Sequence, residues 1–214
     1  MSGHSKWHNI QKTKGAQDAK RASMFTKISK EMIVAVKEGG SADPANNSRL
    51  ATVITKAKAA NMPNDNIKRV LDKASGAGNT DNYESITYEG YGPSGVAVIV
   101  ETMTDSRNRT AANMRHYFDK YGGNLGASGC VAWSFDRKGV LVIDNEEEEL
   151  EEDTVMMDAL DAGAEDFSNE GECFEITTDP DDFNAGADAL TAKGYSFVSA
   201  QVEMVPQNYQ KLEK

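Results

Sequence analysis

Cysteine is almost absent from this chain: Cys130 and Cys173 are the only two, and no C-x-x-C spacing occurs. That excludes a disulfide framework and a zinc ribbon, and it fits the reduced thiols of a cytoplasmic protein. Histidine is nearly as scarce, with three. His4 and His8 stand four apart, but Ser5 occupies the position where a zinc protease needs its glutamate, and no third ligand lies nearby. Neither a metal nor a cofactor is expected. Long hydrophobic runs are missing too. The longest aliphatic run, Val96 to Val100, is far too short to span a bilayer. The opening Met-Ser-Gly-His-Ser-Lys-Trp-His-Asn-Ile holds no apolar stretch of a secretory signal. A soluble, cytoplasmic protein with no membrane partner is the expectation. Motifs of catalysis are equally wanting. Gly126-Ala127-Ser128-Gly129 does not end in the Gly-Lys-Ser/Thr of a phosphate loop, and the run Glu146 to Glu149 has neither the spacing nor the turn glycine of a calcium loop. No serine, histidine and aspartate order points to a triad, so an enzyme is not expected.

What the chain does carry is charge, divided along its length. A net charge of −11 conceals the division. Residues 1–73 hold 14 Lys and Arg against 6 Asp and Glu, residues 74–138 hold 6 against 7, and residues 139–214 hold 3 against 21. The first third reads as a polyanion-binding module joined to an acidic one. Asymmetry of this kind is an argument about partners and not about fold.

Residues 1–15 are polar and basic, with Lys6, Lys12, Lys14 and Trp7. They read either as an arm that orders on a partner or as a frayed terminus with Trp7 tucked into the helical core. Residues 16–38 form a helix by pattern. Phe25, Ile28, Met32 and Val36 recur at three- and four-residue spacing, while Lys20, Lys27, Lys30 and Lys37 fall opposite. Gly39-Gly40 ends it. Asp43 is the expected N-cap of a second helix with Pro44 at its first position, running to about Asn61. Met62-Pro63 breaks that helix. A third turns Ile67, Val70, Leu71 and Ala74 inward and Lys68, Arg69 and Lys73 outward. Three amphipathic helices with short joins make a small bundle.

After a Gly/Ser/Asn-rich linker the period changes to two. Strands are expected at Ile86 to Tyr91 and Val96 to Met103, with a turn at Gly92-Pro93-Ser94-Gly95. A helix over 107–121 follows. Val131, Trp133 and Phe135 alternate as one strand, and Val140 to Ile143 makes another. Beyond the glutamate run come a helix to about Ala162, strands near Asp166–Ser168 and Phe174–Thr178, a helix from Pro180 to Lys193, and a strand from Phe197 to Val205. From Val140 this is β-α-β-β-α-β, the ferredoxin-like order. The class is α+β, with divisions at 1–76, 77–139, 140–206 and 207–214.

The candidate nucleic-acid contacts are the cations Lys6, Lys12, Lys14, Lys20, Lys27, Lys30, Arg49, Lys56, Lys58, Lys68 and Arg69, with Trp7 as a stacking ring. Arg107, Arg109 and Arg115 gather at the start of the 107–121 helix, where free N–H groups and guanidinium groups suit phosphate. The competing account pairs these arginines with Asp105, Asp119 or Glu101. The partner is a nucleic acid, either duplex DNA or ribosomal RNA in the ribosome. Nothing fixes the oligomeric state, and a monomer is the simpler expectation.

Several motifs together resemble the YebC/PmpR family. They are Ser2-Gly3-His4-Ser5-Lys6-Trp7, Phe25-Thr26-Lys27, Ala60-Asn61-Met62-Pro63 with Asn66-Ile67, Tyr88-Glu89-Gly90-Tyr91-Gly92-Pro93 with Gly95-Val96, Thr104-Asp105 with Arg107-Asn108-Arg109-Thr110, and Gly122-Gly123 with Gly126. The resemblance implies a three-helix N-terminal domain followed by two ferredoxin-like α+β domains, the last inserted in the middle one. It implies DNA-binding transcriptional regulation, with translational activation in mitochondrial members and a ribosome-associated translation factor as the alternative. Ser106 stands where the family more often has Asn. Members of that family continue with a further helix and strand that return to the middle domain, which this sequence lacks, so the middle domain 77–139 is expected to be either incomplete or completed differently, and residues 207–214 read as the start of that return.

Overall fold

The computed structural model describes residues 17–76, 82–145 and 150–209. Among them are six α-helices and two antiparallel sheets, an α+β architecture. The chain divides into two compact units. Unit 1 is Met1–Asn79 with Arg137–Glu203, and unit 2 is Thr80–Asp136 with Met204–Lys214.

In unit 1, α1 spans Gln17–Gly39, α2 Ser48–Ala59 and α3 Asn64–Ser75. Ile28, Met32, Ala35 and Val36 of α1 meet Leu50, Val53 and Ala57 of α2 and Ile67 of α3 in one buried cluster, closed at the corner by Met62. The start of α2 differs from expectation. Asp43 caps only a short 3-10 turn, Pro44–Asn46, and Asn47 is the true N-cap. Its Oδ1 accepts from the Leu50 amide at 3.0 Å, while Nδ2 donates to the carbonyls of Ala35 at 2.9 Å and Ser41 at 2.8 Å. One buried amide therefore caps α2 and ties it to the end of α1, a pairing that Asp43 is too early in the chain to make.

Unit 1 also holds most of a four-stranded sheet. Its strands are β4 Phe135–Asp144, β5 Ala164–Asn169, β6 Cys173–Thr178 and β7 Ser199–Pro206, in the order β5-β6-β4-β7. β6 pairs antiparallel with β4 on one side and β5 on the other. Helices α5, Glu152–Asp161, and α6, Phe183–Ala192, supply Val155, Ala159, Phe183, Ala187 and Leu190 to a core with Leu141, Ile143, Phe174 and Ile176. Gly139 admits no side chain: a Cβ there would lie 2.4 Å from Thr178 Oγ1 and 2.6 Å from the Phe183 ring. The helical bundle packs on this sheet-and-helix layer. Ala59 of α2 belongs to its core, and Asn184 Nδ2 of α6 donates to Thr52 Oγ1 at 3.0 Å.

Unit 2 contains β1 Glu84–Tyr91, β2 Ala97–Thr104, α4 Arg107–Lys120 and the short β3 Asn124–Leu125. The sheet order is β2-β1-β3, and both pairings are antiparallel. Ser94 takes a left-handed φ of 60° in the β1–β2 turn. The alternation of Val131, Trp133 and Phe135 imitates a strand, but the segment forms a 3-10 turn at Ala132–Ser134. β4 begins only at Phe135 and continues unbroken through Val140 to Ile143, so the two expected strands are one strand and a turn. The cause is Glu89 on β1. Its buried carboxylate accepts the backbone N–H groups of Gly129 at 2.7 Å, Val131 at 3.0 Å and Ala132 at 2.9 Å, which are then lost to any ladder.

Candidate nucleic-acid interface

The helical bundle carries most of the expected contacts, and the structure sorts them by what their charges meet. Lys56 reaches from α2 to α1, with Nζ at 2.9 Å from both carboxylate oxygens of Glu31. Arg49 Nη1 also crosses from α2 to α1, to one carboxylate oxygen of Glu38, in a pair that is exposed to solvent. These two cations are therefore paired with carboxylates of the bundle.

Their capture has a consequence for α1. Glu31 follows Lys27 by four residues, the spacing at which a helical ion pair forms. Because Lys56 takes both Glu31 oxygens, Lys27 is left exposed, with no acidic partner among the described residues. Lys58 and Lys68 are likewise exposed, with no partner among the described residues. Arg69 is exposed and makes a long contact of 3.4 Å to Asn66 Oδ1. Lys30 is half-buried. Lys6, Trp7, Lys12 and Lys14 lie outside the described residues. The backbone of Lys20 falls within α1, but its side chain is outside what is described.

Arg21 was not singled out by sequence. Its guanidinium lies 5.5 Å from the Phe25 ring centroid, and Nη2 donates to the Asn61 carbonyl at 3.3 Å. It binds the first half of α1 to the α2–α3 corner, where Asn61 holds a left-handed φ of 56°. Helical spacing could have placed Arg21 near Phe25, but its contact with Asn61, 40 residues away, is tertiary.

In unit 2, Arg107 Nη2 lies 2.6 Å from Glu84 and Arg109 Nη2 lies 2.5 Å from Asp105. The first partner is one that sequence did not suggest, and the second is the structural pairing that competed with a phosphate site. Arg115 is exposed and without a partner among the described residues. Ser106 is the N-cap of α4 by position, but its hydroxyl makes no capping bond. Instead Thr104 Oγ1 accepts the Ser106 amide at 2.9 Å.

No group of three or more His, Cys, Asp or Glu among the described residues is placed to hold a metal ion. Asp158 is held below its usual range, first by the Lys193 ammonium and then by the Tyr195 hydroxyl, at 2.6 and 2.7 Å. The Cys173 thiol is pushed up to about 12, chiefly by burial and then by surrounding carboxylates. A thiol so placed is a packing residue and not a nucleophile. No helix among the described residues is long and apolar enough to cross a membrane.

Two family descriptions match consecutive parts of the chain: the TACO1/YebC N-terminal domain over residues 5–77, and the TACO1/YebC second and third domain over residues 83–214. The chain belongs to the TACO1/YebC family. A relative from Ruminiclostridium cellulolyticum is 58% identical, over 99% of this chain and 85% of its own length. One from Lactiplantibacillus plantarum is 56% identical, over 97% of this chain and 85% of its own. Both bear the name "probable transcriptional regulatory protein". The crystal structure of a conserved hypothetical protein from Aquifex aeolicus superposes with a TM-score of 0.76 at 41% identity, covering 89% of this chain and 77% of that one. The family expected from the motifs is thus the family found.

Proposed function

We propose that this protein is a DNA-binding transcriptional regulator of the cytoplasm that performs no catalysis. The observation that carries the reading is the disposition of charge on the bundle. Glu31 is held by Lys56, which leaves Lys27 without it, and Lys27, Lys58 and Lys68 are all exposed without acidic partners among the described residues. Such cations neutralise phosphates and position a protein on a duplex without reading its sequence. The names of the relatives support regulation of transcription as the outcome. The wider set of contacts remains the one read from sequence: Lys6, Trp7, Lys12, Lys14, Lys20, Lys27, Lys30, Arg49, Lys56, Lys58, Lys68, Arg69, Arg107, Arg109 and Arg115. Among these, Arg49, Lys56, Arg107 and Arg109 contribute less, because each must first leave a carboxylate.

We read the fold more finely in the same proposal. The strand order β5-β6-β4-β7 around two helices supports a ferredoxin-like third domain, 140–206, inserted between the parts of a middle domain that begins at residue 77. The N-terminal domain is 1–76.

The test is retention on duplex DNA at low salt. The double substitution Lys27→Glu with Lys58→Glu should sharply weaken retention while the helical circular dichroism is unchanged. Undiminished retention would overturn the assignment. Sedimentation with ribosomes in a gentle lysate, released by salt and by ribonuclease, would replace DNA with ribosomal RNA as the target.

A further inference from the structure

Among the described residues, the five exposed aromatic side chains, Tyr91, Tyr117, Tyr121, Trp133 and Tyr209, all belong to unit 2. Trp133 is the extreme case at 72% exposure. The segment that carries Trp133 is tied down by several contacts. Glu89 clamps three amides of the 129–132 segment, Val131 beneath it is buried, and Gly126 fits against Cys130 so closely that a Cβ would meet Sγ at 2.4 Å. The Gly126 amide also donates to the Glu89 carbonyl at 2.8 Å.

Two rings are pinned to one atom. Trp133 Nε1 donates to the Cys130 carbonyl at 3.0 Å, and the Tyr91 hydroxyl donates to the same oxygen at 3.2 Å. Their polar ends are thereby spent, and what remains for a ligand is the faces of the rings. A third ring, Tyr121, is brought to this end of β1 by Gly123, where a Cβ would lie 2.6 Å from the Tyr91 carbonyl oxygen. Lys120 Nζ stands 5.4 Å from the Tyr121 ring centroid, so an ammonium accompanies that third ring.

We infer that Trp133 and Tyr91 form a stacking platform for the unpaired bases of a single nucleic-acid strand, with Lys120 placed for its phosphates. The inference rests on the nucleic-acid reading above and adds a second site of different chemistry in the other unit. Duplex bases are already stacked and offer no free face, whereas every unpaired base presents one. With ring N–H and O–H groups satisfied internally, the platform holds bases without distinguishing them by hydrogen bonds, and it makes no use of the sugar.

Fluorescence is read on the full chain with Trp7→Phe, which leaves Trp133 as the sole tryptophan, and anisotropy on the chain that keeps Trp7, itself a candidate contact. Short oligoadenylate, its deoxy counterpart and a short duplex are titrated separately, read by tryptophan fluorescence and by anisotropy of labelled strand. Both single strands should quench Trp133 and the duplex should not. Trp133→Ala should weaken single-strand binding about tenfold, while Trp133→Phe, which keeps a ring, should retain most of it. Single strands that bind without quenching, and bind Trp133→Ala equally well, would overturn the platform and leave duplex binding by the bundle intact. A requirement for one sugar would also overturn it. Failure of every nucleic acid to bind would remove both readings.

Discussion

Lys56 Nζ on α2 stands equidistant, at 2.9 Å, from the two carboxylate oxygens of Glu31 on α1. Both side chains are more than two-thirds buried, so the pair is a fixture of the bundle and not a passing surface contact. It joins two helices, and it withholds Glu31 from Lys27.

Glu31→Gln should therefore act in two directions. It removes a negative charge beside Lys27 and frees the Lys56 ammonium, so duplex affinity at low salt should rise by roughly three- to tenfold. It also breaks the inter-helix pair, at about 1 kcal/mol of stability. Anisotropy with labelled duplex and thermal denaturation measure the two effects. Weaker DNA binding by a folded Gln variant would contradict the charge account.

Asn47 is the least replaceable polar residue of the bundle. Asn47→Ala should cost about 3 kcal/mol, since it loses the α2 cap and orphans the Ala35 and Ser41 carbonyls. Asn47→Asp should be no better, because it keeps the cap but turns a carboxylate oxygen toward those two carbonyls. Urea denaturation of both variants checks this, and full stability of the Asp variant would be inconsistent with the donor role.

Glu89 gives unit 2 a defined response to acid. Its pKa lies below the ordinary 4.5, lowered first by the Gly129 amide, then by Val131 and Ala132, against the opposing effect of burial. A group whose folded pKa is depressed contributes stability above its unfolded value, and that contribution is lost as pH falls through the folded value. The wild-type protein should therefore lose stability as pH drops below 4.5, and Glu89→Gln should lack this component and be less stable at neutral pH by about 2 kcal/mol. Tryptophan fluorescence of the Trp7→Phe protein follows it directly, because Trp133 sits on the clamped segment. Identical pH profiles for the two proteins would refute the clamp.

The two thiols should separate by reactivity. Cys173, fully buried and pushed up to about 12, should resist a thiol reagent until the protein unfolds, whereas partly exposed Cys130 should react in the native state. Counting thiols before and after denaturant decides it, and rapid reaction of both would contradict the packing around Cys173.

The bundle was legible in sequence because its helices announce themselves locally. Ile28, Met32 and Val36 give the period, while Gly39-Gly40 and Met62-Pro63 give the stops. What failed was set by distant residues. Asp43 and Asn47 are both good caps by type, and only the reach of Asn47 to Ala35 on another helix separates them. Val131, Trp133 and Phe135 alternate like a strand, yet a carboxylate 42 residues before Val131 takes its amide. The candidate site divided in the same way. Lys27 was visible as a cation on the outer face of a helix, but its freedom depends on Lys56, 25 residues beyond Glu31. The exposure of Trp133 had no sequence signal, because the strand pattern argued for burial.

The salt dependence of duplex affinity tests the central claim most directly. If about 6 phosphates are neutralised, a plot of log affinity against log salt should fall with a slope near −5, and Lys27→Glu with Lys58→Glu should make it shallower by about 2. A flat response, or an unchanged slope in the double variant, would contradict phosphate-led binding by the bundle.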